Sequence, residues 1–398
     1  MEKSMDLAKK IQEEVIQWRR DLHQIPELGL ELPATVAYVT KVLDELGIEY
    51  DDSYVNGNGI VAHIYGQKKG DTNRVLGMRA DMDGLPIKEE TGLPFASLND
   101  NMHACGHDGH TAMLLGAAKI LKENSDQFSG VVKLVFQPGE EYPGGAEPMV
   151  KEGALLNPKA TRMVGFHMGE LVSDMPKGSV LYKQGPMMAS MDRLFIKVKG
   201  KGAHGAYPEI SHDPIVAAGQ LVTAIQTIKS RNIQATDPCV VSITRIEGGF
   251  NQNIIPDEVE IEGTVRTFND ETRRKIHQKL VQISEGIAAA MGVECEVTYD
   301  YKYPAVINDE TVTKEVVESL QPLLGENLIE LTDPLMGGED YSYYLRETPG
   351  TFLYLTNPQK VDGSFHGHHH PKFDVDESLF YVGVASFVQV AFDYLNER

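Results

Sequence analysis

The 398-residue chain has only three cysteines, Cys105, Cys239 and Cys295, an odd and widely spaced set that cannot supply a disulfide framework. Reduced thiols are expected, with Cys239 and Cys295, each in an apolar alternating run, packed as small buried hydrophobes. Positive charge is scarce as well: 37 Lys and Arg against 58 Asp and Glu leave a net charge of -21. Such a balance opposes counterion release at phosphate backbones and repels anionic lipid, so neither nucleic acid nor membrane is expected as a partner. Met1 to Arg20 mixes Lys, Glu and Asp at helical spacing without the apolar stretch of an export signal, and no later run reads as membrane-length. The expectation is a cytoplasmic protein. Low-complexity tracts are missing too, and 41% hydrophobic with 24% charged residues describes a chain that folds along most of its length, in two or more domains.

What is present is an alternation of short apolar strands and helical stretches. Ile60 to Tyr65, Val75 to Arg79, Val131 to Phe136 and Met163 to His167 read as strands, and Thr111 to Lys122 and Glu147 to Leu155 as helices. That pattern gives the fold class as α/β, a central sheet covered by helices, with reactive residues expected where strands give way to loops. Near Gly185 the rhythm changes. Strands about Leu194 to Val198, Val240 to Ile246 and Glu258 to Phe268 accompany helices at Pro214 to Lys229 and Glu271 to Met291, the second opened by Asn269 or Asp270 and closed by Gly292. After about Tyr301 the first character returns, with a helix through Val312 to Leu320, a strand at Phe352 to Leu355 and a last helix from Ser378. The expected organisation is a discontinuous catalytic domain, 1–185 and 301–398, interrupted by an α+β unit at 186–300.

Chemistry-bearing residues gather at the expected strand exits. His103-Ala-Cys-Gly-His-Asp108, with His110 behind it, joins thiol and imidazole at a spacing suited to a zinc-like ion, although a polar helix cap is the plainer alternative. Gln137-Pro-Gly-Glu140-Glu141 follows the strand Val131 to Phe136, so one carboxylate can ligate a metal while its neighbour stays free as a base. His167 ends another apolar strand, and Phe365-His-Gly-His-His-His-Pro-Lys-Phe-Asp374 is rich in histidine inside a folded region. Each signal has a bland reading: a solvated Glu pair, a structural His, an exposed loop. Their conjunction is what an N/S/O-ligated metal site with a proton acceptor requires.

The chain resembles the M20 family of metallopeptidases, in particular its aminoacylase and hippurate hydrolase branch, over nearly its whole length. The resemblance rests on Arg20-Asp-Leu-His-Gln-Ile-Pro-Glu-Leu28, Met78-Arg-Ala-Asp-Met-Asp83, His103 to His110, Phe136-Gln-Pro-Gly-Glu-Glu141, Gly202-Ala-His-Gly205, Asn253-Ile-Ile-Pro256, Gly337-Gly-Glu-Asp340 and His369-His-Pro-Lys-Phe-Asp374. It implies that Cys105, His107, Glu141, His167 and His369 hold two divalent ions, manganese or zinc, with cobalt or nickel as alternatives, and that Glu140 is the general base. His369 is chosen because it stands two residues before Pro371, with Phe373 and Asp374 beyond. His366, His368 and His370 are left as supporting or exposed, and His103 as support.

Other branches carry His-x-Asp where this chain has Arg79-Ala80-Asp81, so Asp81 is expected to orient a ligand rather than to ligate. The resemblance further implies that 186–300 is a lid and dimerisation domain, giving a homodimer or homotetramer. His204 would stabilise the oxyanion, and Asn253, Arg266 and Gly338 would contact the substrate. The implied reaction is hydrolysis of the amide bond of a small N-acyl amino acid. A dipeptidase or carboxypeptidase is the alternative, and a non-catalytic metal-binding protein the rival outside enzymes.

Overall fold

The computed structural model describes residues 3–396; Met1 and Glu2, where the amino-terminal reading begins, and Glu397 and Arg398, at the end of the expected 301–398 segment, lie outside them. The chain divides into two compact units, one of Met1–Met187, Ile307–Asp333 and Asp340–Arg398, the other of Met188–Val306 and Pro334–Glu339. The short return of Pro334–Glu339 to the second unit departs from the expected boundaries, and it takes Gly338 with it.

The first unit is built on an eight-stranded mixed sheet. Its strands begin with β1 (Glu49–Ser53), β2 (Gly59–Tyr65), β3 (Val75–Asp81), β4 (Val131–Gln137), β5 (Arg162–Gly169) and β6 (Val180–Tyr182), and two later strands, Leu328–Glu330 and Gly350–Thr356, complete it. The spatial order is β1, β2, β4, β3, β5, Gly350–Thr356, β6, Leu328–Glu330. β4, β3, β5 and Gly350–Thr356 run parallel at the centre. All seven residues of both β3 and β4 are buried, the near-continuous apolar signature of a sheet covered on both faces. Their carboxyl ends bring Asp81, Gln137 and His167 to one edge.

The helix His107–Glu123 is buried along almost its whole length and packs in the core with Gln12–His23 and Phe380–Leu395. It starts four residues earlier than the expected Thr111, so His107 lies in its first turn. Gly106, at φ 87°, turns the chain into the helix and no side chain caps it, which removes the polar-cap alternative for this segment. Glu377–Leu395 is long and apolar enough to cross a membrane by length and composition, against the reading that no such run exists; 67% of its apolar window is buried, as in a core helix.

In the second unit the four-stranded antiparallel sheet has the order Cys239–Gly248, Glu258–Thr267, Asp192–Lys199, Glu294–Tyr301. Burial alternates along Asp192–Lys199, and Leu194, Ile196 and Val198 meet Leu221, Ile276 and Leu280 from the helices Pro214–Ile225 and Asp270–Met291 in one core. Asn269 caps the longer helix by accepting from the Thr272 amide at 2.7 Å, and Gly292 ends it at φ 69°. The shorter helix stops at Ile225 rather than Lys229, before a wide turn over Ile228–Asn232. Cys239 and Cys295 are half-buried rather than buried, because each lies on one of the sheet's two edge strands.

Candidate metal centre

Five residues meet within the first unit although they come from four separate stretches of sequence. Cys105 lies in the loop before the helix, His107 in its first turn, Glu141 in the turn after β4, His167 near the end of β5, and His369 in the late histidine-rich loop. The His369 amide donates to the Ala104 carbonyl at 2.9 Å, which pins that loop to the Cys105 segment. His369 itself adopts φ 65°.

The donor atoms form overlapping groups. Cys105, His107 and His167 make one, and Cys105, Glu141 and His369 another; within each, the ligand atoms lie within 4.8 Å of one another. Sharing Cys105, the two groups describe adjacent places for two cations. Glu140 joins His107 and Glu141 in a third group at the same spacing, beside the ligands.

Hydrogen bonding prepares the imidazoles as ligands. His107 donates through Nδ1 to the Asp83 carbonyl at 2.9 Å, while its buried Nε2 has no hydrogen-bond partner. His167 donates through Nδ1 to the Met168 carbonyl at 2.9 Å and turns Nε2 toward the Cys105 sulfur, 3.5 Å away. A backbone acceptor on one ring nitrogen fixes the ring orientation that presents the other nitrogen to a cation.

The electrostatics call for positive charge. Burial lowers the His107 pKa, but Asp81, Asp83 and Glu141 outweigh it and raise the value to about 10. Burial, with Glu141 and Glu140 adding to it, pushes the Cys105 thiol well above its ordinary range. A buried thiol among carboxylates becomes a ligand only when a cation takes the proton's place. An orphaned imidazole nitrogen, a thiol and a carboxylate therefore fit borderline-soft divalent ions.

Asp81 uses one oxygen in a hydrogen bond and the other in an ion pair, the latter also 3.5 Å from His107 Nε2. It receives the His110 Nδ1 proton at 2.5 Å and pairs with Arg79 Nη1 at 2.9 Å. Burial opposes its charge, yet Arg79, His107 and His110 hold its pKa well below the usual range. His110 Nε2 in turn accepts from the Met168 amide at 3.0 Å. The pair thus braces the end of β5, where His167 sits, as an orienting carboxylate would.

Sequence reasoning gave no role to three supports: Asp83, His110, and Arg19, which is 1% exposed and bonds Asp108 at 2.8 Å and Asp374 at 3.1 Å. The i,i+3 spacing of His107 and His110 on one helix face was the legible signal for His110. His103 does not act as expected: buried at 2% exposure, it has neither ring nitrogen in a hydrogen bond, so it braces no ligand that way. His368 donates through Nε2 to the Met168 carbonyl at 2.8 Å.

A model of peptidase family M20/M25/M40 matches residues 77–393. The chain belongs to that family. Family membership makes it a hydrolase acting on amide bonds. It is 40% identical to the N-acetyl-L-cysteine deacetylase of Bacillus subtilis strain 168, across 92% of this chain and 85% of that protein. It is 36% identical to thermostable carboxypeptidase 1 of Saccharolobus solfataricus, across 100% and 99%. A solved Bacillus subtilis structure, a dinuclear metal-binding peptidase from the M20 family, superposes with a TM-score of 0.82 at 35% identity, covering 98% of this chain and 99% of that one.

The remaining candidates lie in the second unit. His204, exposed, pairs with Ile254 in a two-stranded ladder, and the Gly205 amide donates to the Asn253 carbonyl at 2.7 Å, so His204 and Asn253 share one turn system. The Ala206 amide donates to His204 Nδ1 at 3.0 Å, which puts the proton of the neutral ring on Nε2. Arg266, half-buried, donates to Thr264 Oγ1 and the Val265 carbonyl; among the described residues no carboxylate forms a salt bridge with it, which removes the surface ion pair as its explanation. At Gly338 an added Cβ would lie 2.8 Å from the Met191 Cβ, so a side chain there would displace that residue.

Proposed function

We propose that this amide hydrolase removes the acyl group from small N-acyl amino acids, releasing a carboxylic acid and a free amino acid. One observation carries the reading: two three-donor groups share Cys105, and a further carboxylate, Glu140, stands beside them. Neither of those two groups needs Glu140 as a donor, which leaves its carboxylate available to take a proton. Support for the substrate class comes from the 40% identical relative named a deacetylase of an N-acetylated amino acid.

Cys105, His107, Glu141, His167 and His369 would hold two divalent ions, with zinc suited to the thiol and imidazoles and manganese to the carboxylate. When bound, such ions lower the pKa of water and polarise a carbonyl. Glu140 takes the proton from the attacking water and returns it to the departing nitrogen, so the C–N bond breaks to a neutral amine. Asp81, through His110, keeps the end of β5 in place while this happens. From the second unit, His204 would offer its Nε2 proton to the carbonyl oxygen as charge develops there. Arg266 would offer its guanidinium to the substrate carboxylate, with Asn253 and Gly338 lining the contact.

The 36% identity to a carboxypeptidase favours a second reading, cleavage of peptides at the carboxyl end. Metal-stripped enzyme refilled in turn with zinc, manganese, cobalt or nickel, and given N-acetyl and N-benzoyl amino acids beside dipeptides, separates the two. Turnover of acylated amino acids at least tenfold above dipeptides is expected. The opposite order would replace the proposal with the peptidase reading.

A further inference from the structure

We propose that Asp83 is the positioning residue of this site, a single carboxylate that holds the general base and a metal ligand in register with a second ligand. It lies two residues beyond β3 and is 1% exposed. Its two oxygens are divided between consecutive amides: Oδ1 accepts from the Glu140 amide at 2.9 Å and Oδ2 from the Glu141 amide at 3.0 Å. Its backbone carbonyl accepts the His107 Nδ1 proton at 2.9 Å, and Oδ1 lies 3.3 Å from the same nitrogen. One residue thereby fixes the backbone from which Glu140 and Glu141 project and the ring orientation of His107. None of its contacts reaches the place where substrate would react, so Asp83 acts through its neighbours.

The geometry is specific to a carboxylate. Two successive amides converge on it because Gly139, at φ 66°, reverses the chain just before them, where an added Cβ would meet Leu30 Cδ2 at 2.6 Å. Here each of the two N–H donors has its own acceptor oxygen, one on either side of the carboxylate. Asparagine offers one oxygen and sets an NH2 group against the other amide, leaving a buried donor unsatisfied. Outer groups of this kind typically change metal affinity or activity by about 10- to 100-fold when replaced.

The inference rests on the proposed roles of Glu140, Glu141 and His107, and its first test needs no substrate. In the full-length, metal-free protein, hydrogen exchange followed by NMR should find the Glu140 and Glu141 amides protected. Asp83→Asn should speed exchange at those two positions by about tenfold or more, with β4 amides unchanged and Tm lowered by no more than a few degrees. Zinc or manganese titrated into the same variant should bind roughly 10- to 100-fold more weakly. With metals at saturating concentration and the best N-acyl substrate, kcat should fall by a similar factor while KM stays within about threefold.

Unchanged exchange at the two amides would overturn the proposal, as would acceleration spread evenly through the unit, the mark of a general stability role. If Asp83→Asn fails to fold, the wild type decides: amides of Glu140 and Glu141 exchanging like an open loop refute the grip. Should the enzyme prefer peptides to acyl amino acids, the exchange and titration results still stand or fall on their own.

Discussion

At the scale of single residues, the site separates holding from reacting. Cys105 belongs to two donor groups at once, whereas Glu140 belongs to neither of these and forms a group with His107 and Glu141 beside them. Adjacent residues leaving a strand point different ways, so one Glu can bind while the next stays free to carry a proton. Glu140→Gln keeps the shape and removes the acceptor for a proton. Turnover should fall by roughly two to four orders of magnitude. Metal content by elemental analysis should match the wild type. Near-normal turnover with both metals bound would reassign the base, and metal loss would make Glu140 a ligand instead.

At the scale of elements, the helix His107–Glu123 has to present its first turn accurately, and it has no side-chain cap to set that turn. The orientation comes from outside. Arg19, on Gln12–His23, bonds Asp108 beside His107 and also Asp374 and Glu377, tying two distant segments to one guanidinium. Asp108 is held far below the ordinary carboxylate range: burial opposes its charge, but Arg19 and His23 prevail. Removing one partner of such a buried pair strands the other, at a cost of about 3–5 kcal/mol. Arg19→Ala is therefore expected to lower unfolding free energy by that amount in urea melts. A loss below about 1 kcal/mol would mean that the network is not structural.

The same contrast explains what could be read in advance. Ligand types and strand exits were legible because apolar runs end abruptly at Gln137 and His167. The helix start was not, since Gly106 begins it through a positive φ that residue preferences do not announce. Arg19 and Asp83 were illegible for another reason: their roles depend on partners 24 to 358 residues away. The return of Pro334–Glu339 to the second unit was hidden likewise, because it pairs through Leu335 with Met188 across a long gap.

At the scale of the whole molecule, each unit has its own hydrophobic core, and the first carries buried Asp81, Asp83 and Glu140 beside the partly buried Glu141. Without cations His107 and Cys105 retain protons that ligation would displace. Ions that bind the folded state alone stabilise it by RT ln(1 + [L]/Kd), about 2.7 kcal/mol at a hundredfold excess over Kd. The only tryptophan, Trp18, is 8% exposed in the first unit and reports on that unit alone. Chelation should lower the melting temperature seen by Trp18 fluorescence by several degrees, and restored metal should recover it. Amide exchange in the second unit's helix Asp270–Met291 should stay as it was. Equal destabilisation of both regions would show that metal loss is felt through the whole chain, and no shift in the Trp18 melt would deny the cluster any need for cations.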